Sequence, residues 1–194
     1  QSTSSTMDAI NDLSHHTPVL STTIPAWPIV SADRGVTIAL ALEQTAGRGR
    51  HNRQWFSNPG SGIYLTLAFE TSAPVAQLPN LSLAAGLAAA NMVRAAGAPG
   101  LLKWPNDVLV QTAPDSAAAE YKKIAGVLLE TAPGSPGTTL VLIGIGVNFA
   151  PDESAAQAGG ISLKETADRR IGYSEAALAL IDHLIGEVSE FFAR

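Results

Sequence analysis

Short runs in which apolar and polar residues alternate recur along the chain, and their branched side chains are typical of β-strands. Strands are predicted at Val36–Leu42, Ile63–Phe69, Leu101–Trp104, Val108–Val110, Ile124–Leu129 and Leu140–Val147. Turn-forming residues separate the later strands, and short connections favour hairpins. We therefore expect an antiparallel arrangement for most of the sheet.

Two longer segments have helical periodicity. Leu81–Ala96 is rich in alanine and lies between Pro79-Asn80 and Gly97, which are helix start and stop signals. The second predicted helix is Ser174–Phe192, with Ser174 as its N-cap, Tyr173 packed against Leu178, and a buried stripe of Leu178, Ile181, Ile185, Val188 and Phe192. Strands in hairpins with few helices predict an α+β fold, in which a largely antiparallel mixed sheet carries helices packed on it.

The first 34 residues follow a different pattern. Thr6–Leu13 is predicted to form a short helix. Pro18, Pro25 and Pro28 exclude a continuous helix between Ser14 and Arg34, which we therefore interpret as a long irregular insertion, residues 14–34.

Composition limits the class of protein. A chain of 194 residues with 46% hydrophobic and 15% charged residues can bury the core of one large domain. Its apolar runs are too short to span a bilayer, and a chain without cysteine has neither disulfides nor thiolate chemistry, so a cytoplasmic enzyme is predicted. The net charge of −5 argues against broad binding to DNA or to a membrane surface.

The positive charges are unevenly placed. Half of the twelve Lys and Arg residues lie in three short segments beside predicted strands: Arg48, Arg50, Arg53, Lys103, Lys122 and Lys123. This clustering indicates a local site for an anion. His15-His16 are adjacent and have no third ligand at a recognisable spacing, so no cluster of protein metal ligands is predicted.

The segment from Gly47 to Trp55 combines two glycines with three arginines. Glycines let the backbone approach a ligand, and guanidinium groups match phosphate or carboxylate oxygens, so the segment can clamp a polyanion. Taken alone, it can equally be a solvated turn. An RNA-binding arginine-glycine tract is the third alternative, against which the acidic net charge argues.

Three further motifs follow in order. Lys103–Asp107 places a cation, an aromatic ring and a carboxylate at one turn, although Trp104 can instead fill the core and Asp107 can cap the backbone. Lys122 and Lys123 precede a strand that contains Gly126, and such lysines are usually on the surface. Gly144–Asn148 indicates either a backbone-lined pocket or a close contact between a helix and a strand.

Taken together, the four motifs resemble those of biotin protein ligases. They are Glu43–Arg50 with Arg53 and Trp55, Lys103–Asp107, Lys123–Gly126 and Gly144–Asn148. The resemblance extends over residues 1 to 192 and implies a catalytic domain at 1–194, with a fold similar to that of class II aminoacyl-tRNA synthetases. It also implies two steps, formation of biotinyl-5′-AMP from biotin and ATP with Mg²⁺, and transfer of the biotinyl group to a lysine of a biotin carboxyl carrier protein.

The resemblance assigns roles to individual residues. The residues implied to bind biotin are Ser5, Thr6, Gln44, Gly47, Arg48, Gly49, Lys123 and Gly126. Those implied to bind ATP are Arg48, Arg50, Arg53, Trp55, Lys103, Asn106, Asp107 and Asn148. Lys123, Arg50, Lys103 and Asp107 are the implied catalytic residues, with Asp107 orienting the incoming lysine amine. The loop from Gly47 to Trp55 is expected to close over the reactive intermediate.

The sequence departs from the family pattern in two places. The family's early Ser-Thr-Asn motif corresponds either to Ser5-Thr6, which is followed by Met7, or to Ser21-Thr22, which precedes two prolines; we favour Ser5-Thr6. The small β-barrel that usually follows the last helix is not expected in this chain, nor is an N-terminal helix-turn-helix.

Two alternative functions and the assembly state stay open. A lipoate or octanoate ligase or transferase has the same fold, and a biotin-sensing module without catalysis would carry the same pocket. A homodimer is compatible with the sequence.

Overall fold

The computed structural model describes residues 2–3, 5–7, 35–112 and 119–193. Thr6 and Met7 are helical, as predicted, while the rest of the predicted N-terminal helix and the insertion at 14–34 lie outside the described residues. The strands are β1 (Ser2–Thr3), β2 (Thr37–Ala41), β3 (Glu43–Gln44), β4 (Gly62–Thr71), β5 (Gly100–Lys103), β6 (Asp107–Gln111), β7 (Tyr121–Pro133) and β8 (Thr139–Asn148). The α-helices are α1 (Leu81–Ala95), α2 (Glu153–Gln157), α3 (Leu163–Thr166) and α4 (Tyr173–Ala193).

Six strands form the central sheet in the order β2-β4-β8-β7-β6-β5, and every neighbouring pair is antiparallel. β1 and β3 form a separate parallel pair. The predicted α+β fold with a largely antiparallel sheet is therefore confirmed. No helix among the described residues has both the length and the hydropathy needed to cross a membrane.

One face of the sheet carries the main core. Alternation along β4 points Ile63, Leu65 and Leu67 to this face, where all three have no exposed surface and pack in one cluster with α1 and α4. Burying a side chain of this size contributes about 1.5–3 kcal/mol to folding.

Helix α4 follows the predicted stripe except at one residue. Val188 is buried, and Ile181, Ile185 and Phe192 pack against the core, whereas Leu178 is 66% exposed. Ala176, Ala177, Leu180 and Leu184 are buried as well. Buried alanines on both α1 and α4 let the two helices approach closely, so small side chains rather than large ones define the contact. The helix begins at Tyr173, so Ser174 is not its N-cap. Tyr173 packs edge-on against Phe149.

On the opposite face of the sheet the described residues form a smaller core. Met7, Ala39, Ala68 and Leu142 form a small second cluster there. Beside that cluster the strands carry glycines, and Gly126 on β7 lies directly opposite Gly146 on β8. Because glycine has no side chain, this part of the face is left as a groove.

A bulge in β7 shapes the edge of the groove. Leu109 pairs with Lys123 while Val108 pairs with Ala125, so Ile124 is an extra residue on β7. In a regular strand, residues 123 and 126 would point to opposite faces. The bulge changes the alternation, so Lys123 and Gly126 can contribute to the same site.

Candidate functional site

The segment from Gly47 to Trp55 is a small hairpin beside the glycine groove. The amide of Trp55 donates to the carbonyl of Gly47 (2.9 Å), and the amide of Gly49 donates to the carbonyl of Arg53 (2.7 Å). His51 stands at the tip with φ of 56°, a left-handed conformation that histidine adopts more readily than most residues. The loop is thus held by its own backbone and presents its arginines outward.

Two arginines of the hairpin bind the sheet. Arg50 donates to the side-chain oxygen of Asn106 (3.0 Å). Asn106 is itself fixed to β7. Its side-chain Nδ2 donates to the backbone carbonyl of Val127 (2.9 Å), and its backbone carbonyl accepts from the Val127 amide (2.8 Å). Arg48 forms an ion pair with Glu130 (3.2 Å). Both partners of that pair are more than one third exposed, so it orients the loop more than it stabilises the fold.

Trp55 lies in the glycine groove. A Cβ atom added at Gly146 would come within 2.6 Å of the indole nitrogen, and one added at Gly126 would come within 3.0 Å of the ring. Any residue larger than glycine at these positions would displace the indole. The indole nitrogen is buried and has no hydrogen-bond partner among the described residues.

Lys123 is the cation nearest the groove. Its Nζ lies 2.6 Å from Oδ1 of Asp107 and 5.1 Å from the centre of the Trp55 ring. An ion pair and a ring face therefore hold one ammonium group at the boundary between two cavities.

The inner cavity lies beneath the hairpin and measures about 50 Å³. Ser5, Thr6 and Gln44 supply its uncharged polar lining together with Asn106, and its apolar lining includes Met7 and Leu128. The amide of Thr6 donates to Oε1 of Gln44 (2.8 Å), which fixes both residues. The alternative motif at Ser21-Thr22 lies outside the described residues.

The outer cavity measures about 490 Å³ and lies on the other side of Trp55. Arg50, Arg53 and Lys123 line it, which makes it suitable for a polyanion. Both cavities are lined by five of the same residues: Gly49, Arg50, Trp55, Asn106 and Lys123. The two spaces therefore meet at Lys123 and the hairpin.

The far wall of the outer cavity is built by the segment after β8. The side-chain nitrogen Nδ2 of Asn148 donates to the backbone carbonyls of Lys123 (3.3 Å) and Ile161 (3.2 Å). Gly160 lies beside Lys123 in an isolated bridge, and a Cβ there would come within 2.9 Å of the Asn148 amide. Asn148 thus holds this segment against β7.

The structure brings most of the predicted site residues together. All of them line one or both cavities except Lys103 and Gly47. Lys103 ends the edge strand β5, and Gly47 is buried at the base of the hairpin. Trp104 is 77% exposed, so the alternative in which it fills the core is wrong. Asp107 pairs with Lys123, which the sequence did not indicate.

Several cavity residues were missed. Ala155, Ala158 and Gly160 line the outer cavity, and Val127 and Leu128 line the inner one. Alanines and branched apolar residues carry no chemical signal in a sequence. The adjacent pair Gly159-Gly160 between two short helices was the available hint of a close backbone approach.

Tyr64 of β4 carries a buried hydroxyl close to the base of the hairpin. Burial raises the pKa of Tyr64, so its hydroxyl stays protonated at neutral pH and can donate to the carbonyl of Asn58 (3.3 Å). Among the described residues, no group of three or more His, Asp or Glu side chains could hold a metal ion.

Two adjoining cavities with a shared cation, an arginine hairpin and a polar inner end form an arrangement on one face of a sheet that suits small anionic ligands. Comparison with known proteins gives its family. Residues 30–148 match the model of the biotin/lipoate A/B protein ligase family. The chain belongs to this family.

Named relatives are similar over parts of their length. The bifunctional ligase/repressor BirA of Bacillus spizizenii is 37% identical over 113 residues, 58% of this chain and 32% of that protein. The biotin–[acetyl-CoA-carboxylase] ligase of Paracoccus denitrificans is 35% identical over 144 residues, 72% of this chain and 56% of that protein. The chain thus matches about a third of the BirA protein and just over half of the second relative.

Solved structures give the fold. The Leishmania major biotin protein ligase in complex with biotinyl-5-AMP has a TM-score of 0.69 and 25% identity, covering 97% of this chain and 73% of that one. The Aquifex aeolicus biotin protein ligase in complex with biotin and ATP has a TM-score of 0.67 and 24% identity, covering 100% and 70%. The predicted biotin ligase catalytic fold is confirmed.

Proposed function

We propose that this chain activates biotin with ATP to form biotinyl-5′-AMP and pyrophosphate, then passes the biotinyl group to a lysine of a carboxyl carrier protein. The observation that carries the proposal is the pair of cavities that meet at Lys123, because the reaction must join a carboxylate to a nucleotide phosphate at one point. Family membership supports the chemistry.

The polar end of the inner cavity favours biotin over a linear acyl chain. Biotin ends in a ureido ring, which offers two N–H donors and one carbonyl acceptor. Ser5, Thr6 and Gln44 supply hydroxyl and amide groups that can match such a ring. The hydrocarbon tail of lipoate or octanoate carries no matching donors and acceptors, so it would gain no hydrogen bonds at this end of the cavity.

The inner cavity must enlarge before it can hold biotin. Its 50 Å³ is far below the roughly 300–1,000 Å³ of pockets for small molecules. Trp55 in the glycine groove is the part best able to make room, because only the hairpin carries it and its ring is partly exposed. We expect the ring and hairpin to shift when biotin enters and to cover the adenylate afterwards, so that water is excluded from the mixed anhydride.

The first step needs charge and position more than a base. A carboxylate is already ionised at neutral pH and attacks the α-phosphorus, and the bond to pyrophosphate breaks. Lys123 is placed to meet the carboxylate and then the new phosphate ester, while Arg50 and Arg53 offset charge on the nucleotide side. One reactant would be held in each of the two cavities, and this positioning removes much of the entropic barrier to the reaction.

Mg²⁺ is the metal that nucleotide reactions usually require, and it would neutralise phosphate charge. Mg²⁺ commonly takes one or two protein carboxylates beside phosphate oxygens. Among the described residues, Asp107 is the carboxylate that lines the outer cavity, so it is the residue that would hold the ion, and it would share its charge between the ion and Lys123.

In the second step a carrier lysine, as the free amine, attacks the biotinyl carbonyl, and AMP leaves as the amide forms. The amine loses one proton during this attack, which passes to water or to the phosphate of the departing AMP. Asp107 lies at the junction, 2.6 Å from Lys123, where it can orient the incoming amine by a hydrogen bond.

The test is a pyrophosphate assay with a choice of acids. The chain is incubated with MgATP and biotin, lipoate or octanoate, and adenylate and pyrophosphate are measured. We expect both products with biotin. Adenylate from lipoate or octanoate alone would assign the chain to the lipoate side of the family. Tight biotin binding without pyrophosphate would instead indicate a sensing module.

A further inference from the structure

A row of hydrogen bonds runs from the central sheet to the arginine hairpin. The hydroxyl of Thr66, a fully buried residue of β4, donates to Oγ1 of Thr6 (2.7 Å), and that hydroxyl lies 3.3 Å from Oε1 of Gln44. Nε2 of Gln44 donates to Oγ of Ser57 (3.1 Å), and Ser57 donates to the carbonyl of Trp55 (3.2 Å). The row connects the inner cavity to the backbone of the residue that fills the groove.

The donor directions along this row are set. Oε1 of Gln44 accepts from both the amide and the hydroxyl of Thr6, so the Gln44 nitrogen must face Ser57. Ser57 accepts from that nitrogen and donates to a carbonyl. A hydroxyl can do both at once, whereas an aliphatic side chain can do neither.

The contacts of Ser57 with Gln44 and Trp55 are tightly packed and shielded from solvent. Ser57 is 6% exposed. A Cβ atom at Gly47 would lie 2.5 Å from the Trp55 carbonyl oxygen, 2.7 Å from the Ser57 hydroxyl and 3.3 Å from Nε2 of Gln44. Gly47 lines neither cavity, and its lack of a side chain instead leaves room for the Gln44–Ser57–Trp55 contact.

We propose that Ser57 is a positioning residue for biotin. Its hydroxyl fixes the orientation of the Gln44 amide in the inner cavity and ties that amide to the hairpin that carries Trp55. This inference rests on the proposed function, since it takes biotin as the ligand of the inner cavity. Without the hydroxyl, Nε2 of Gln44 loses its acceptor, and only the bonds from Thr6 to Oε1 hold the amide in place.

The experiment measures biotin affinity by calorimetry, which does not depend on turnover, and pyrophosphate release in parallel. Ser57→Ala is expected to weaken biotin binding roughly tenfold, because a partly buried amide loses its partner. The KM for ATP should change less than about twofold. Thermal unfolding checks that the variant is folded. If Ser57→Ala does not fold, Ser57→Thr and Ser57→Val replace it, since these two differ only in the hydroxyl and the Thr variant should bind about tenfold more tightly.

A double substitution separates positioning from general damage. In a Gln44→Ala background, Ser57→Ala should weaken biotin binding no further, because the amide that it positions is gone. Full additivity of the two losses would overturn the proposal.

The matched control is Ser61→Ala. Ser61 lies in the same loop between the hairpin and β4 but outside the row of hydrogen bonds, and its hydroxyl contacts Asn58 (2.8 Å) and Tyr64 (3.0 Å). Biotin affinity of this variant should stay at the wild-type value. A Ser57→Ala affinity equal to that of Ser61→Ala would overturn the role of Ser57 alone. Wild-type chain that binds biotin but releases no pyrophosphate would overturn the proposed function and leave the Ser57 comparison valid. No biotin binding by the wild-type chain would overturn both.

Discussion

The two faces of the central sheet are built from the same strands but from opposite kinds of residue. On the helix side, Leu65 of β4 and Ile143 of β8 are fully buried among branched side chains. On the other side, the same strands place Thr66, Gly144 and Gly146. Side chains fill the first face, whereas glycines without side chains leave a groove on the second.

This difference separates stability from function within single strands. A residue on the helix face is surrounded by core and contributes through burial. On the site face, glycines leave room for Trp55 and for the two cavities, and the polar residues bind one another along their edge. Substitutions on the two faces should therefore have different signatures, even at neighbouring positions.

The largest effect is expected on the helix face. Leu65→Ala removes a fully buried side chain and should lower the free energy of unfolding by about 2–5 kcal/mol, measured by urea denaturation. Leu178→Ala, at a residue of α4 that is 66% exposed, should change it by less than about 0.5 kcal/mol. Equal losses at the two leucines would mean that the helix face is not the main core.

The next effect compares two lysines that the sequence placed in the same site. Lys123→Ala removes the cation shared by both cavities and should lower kcat/KM for biotin activation roughly 10- to 100-fold, the value of a charge-assisted hydrogen bond. Lys103 lines neither cavity, so Lys103→Ala should lower it less than about threefold.

Steady-state pyrophosphate release measures both variants, and melting temperature shows whether each is folded. A loss at Lys103 as large as that at Lys123 would return Lys103 to the site and would require β5 to approach the nucleotide.

Much of the fold could be predicted because alternation is a local signal. All six predicted strands exist in the central sheet, with ends displaced by a few residues. β7 runs on to Pro133, beyond the predicted end at Leu129, because Glu130 and Thr131 pair with β8 although they are polar. Pairing across a sheet is a long-range property, which a single strand's sequence does not contain.

The stripe of α4 shows the limit of helical periodicity. The helix carries large apolar residues on more than one side, and the predicted stripe packs on the core except at Leu178. The structure buries Ala176 and Ala177 and exposes Leu178, because the neighbouring helix also presents alanines. The choice between two apolar stripes depends on the partner's surface, which lies some 90 residues away in sequence.

The candidate site was predictable where its residues carry charge or polar groups. Thirteen of the fifteen proposed site residues line a cavity, the exceptions being Lys103 and Gly47. The bulge that turns Lys123 toward Gly126, the wall at Gly160 and the joint at Ser57 were not predicted. Each depends on how one segment pairs with another, and Ile124, Gly160 and Ser57 belong to residue types that recur throughout the chain.

The smallest effect comes from two glycines with opposite surroundings. Gly146→Ala places a methyl group against the Trp55 indole, so the ring must move, while Gly186→Ala adds a methyl group to an exposed position of α4 with no atom within 4 Å. Because the ring is partly exposed and can swing outward, Gly146→Ala should destabilise the fold by less than about 1 kcal/mol. Gly186→Ala should stabilise it by about 0.5–1 kcal/mol, since alanine favours a helix. Tryptophan emission reports the ring: it should change in Gly146→Ala and stay constant in Gly186→Ala, with Trp55→Phe identifying the share of Trp55. An unchanged emission in Gly146→Ala would show that the indole does not rest on the glycine pair and would remove the reason for the difference between the two faces at this position.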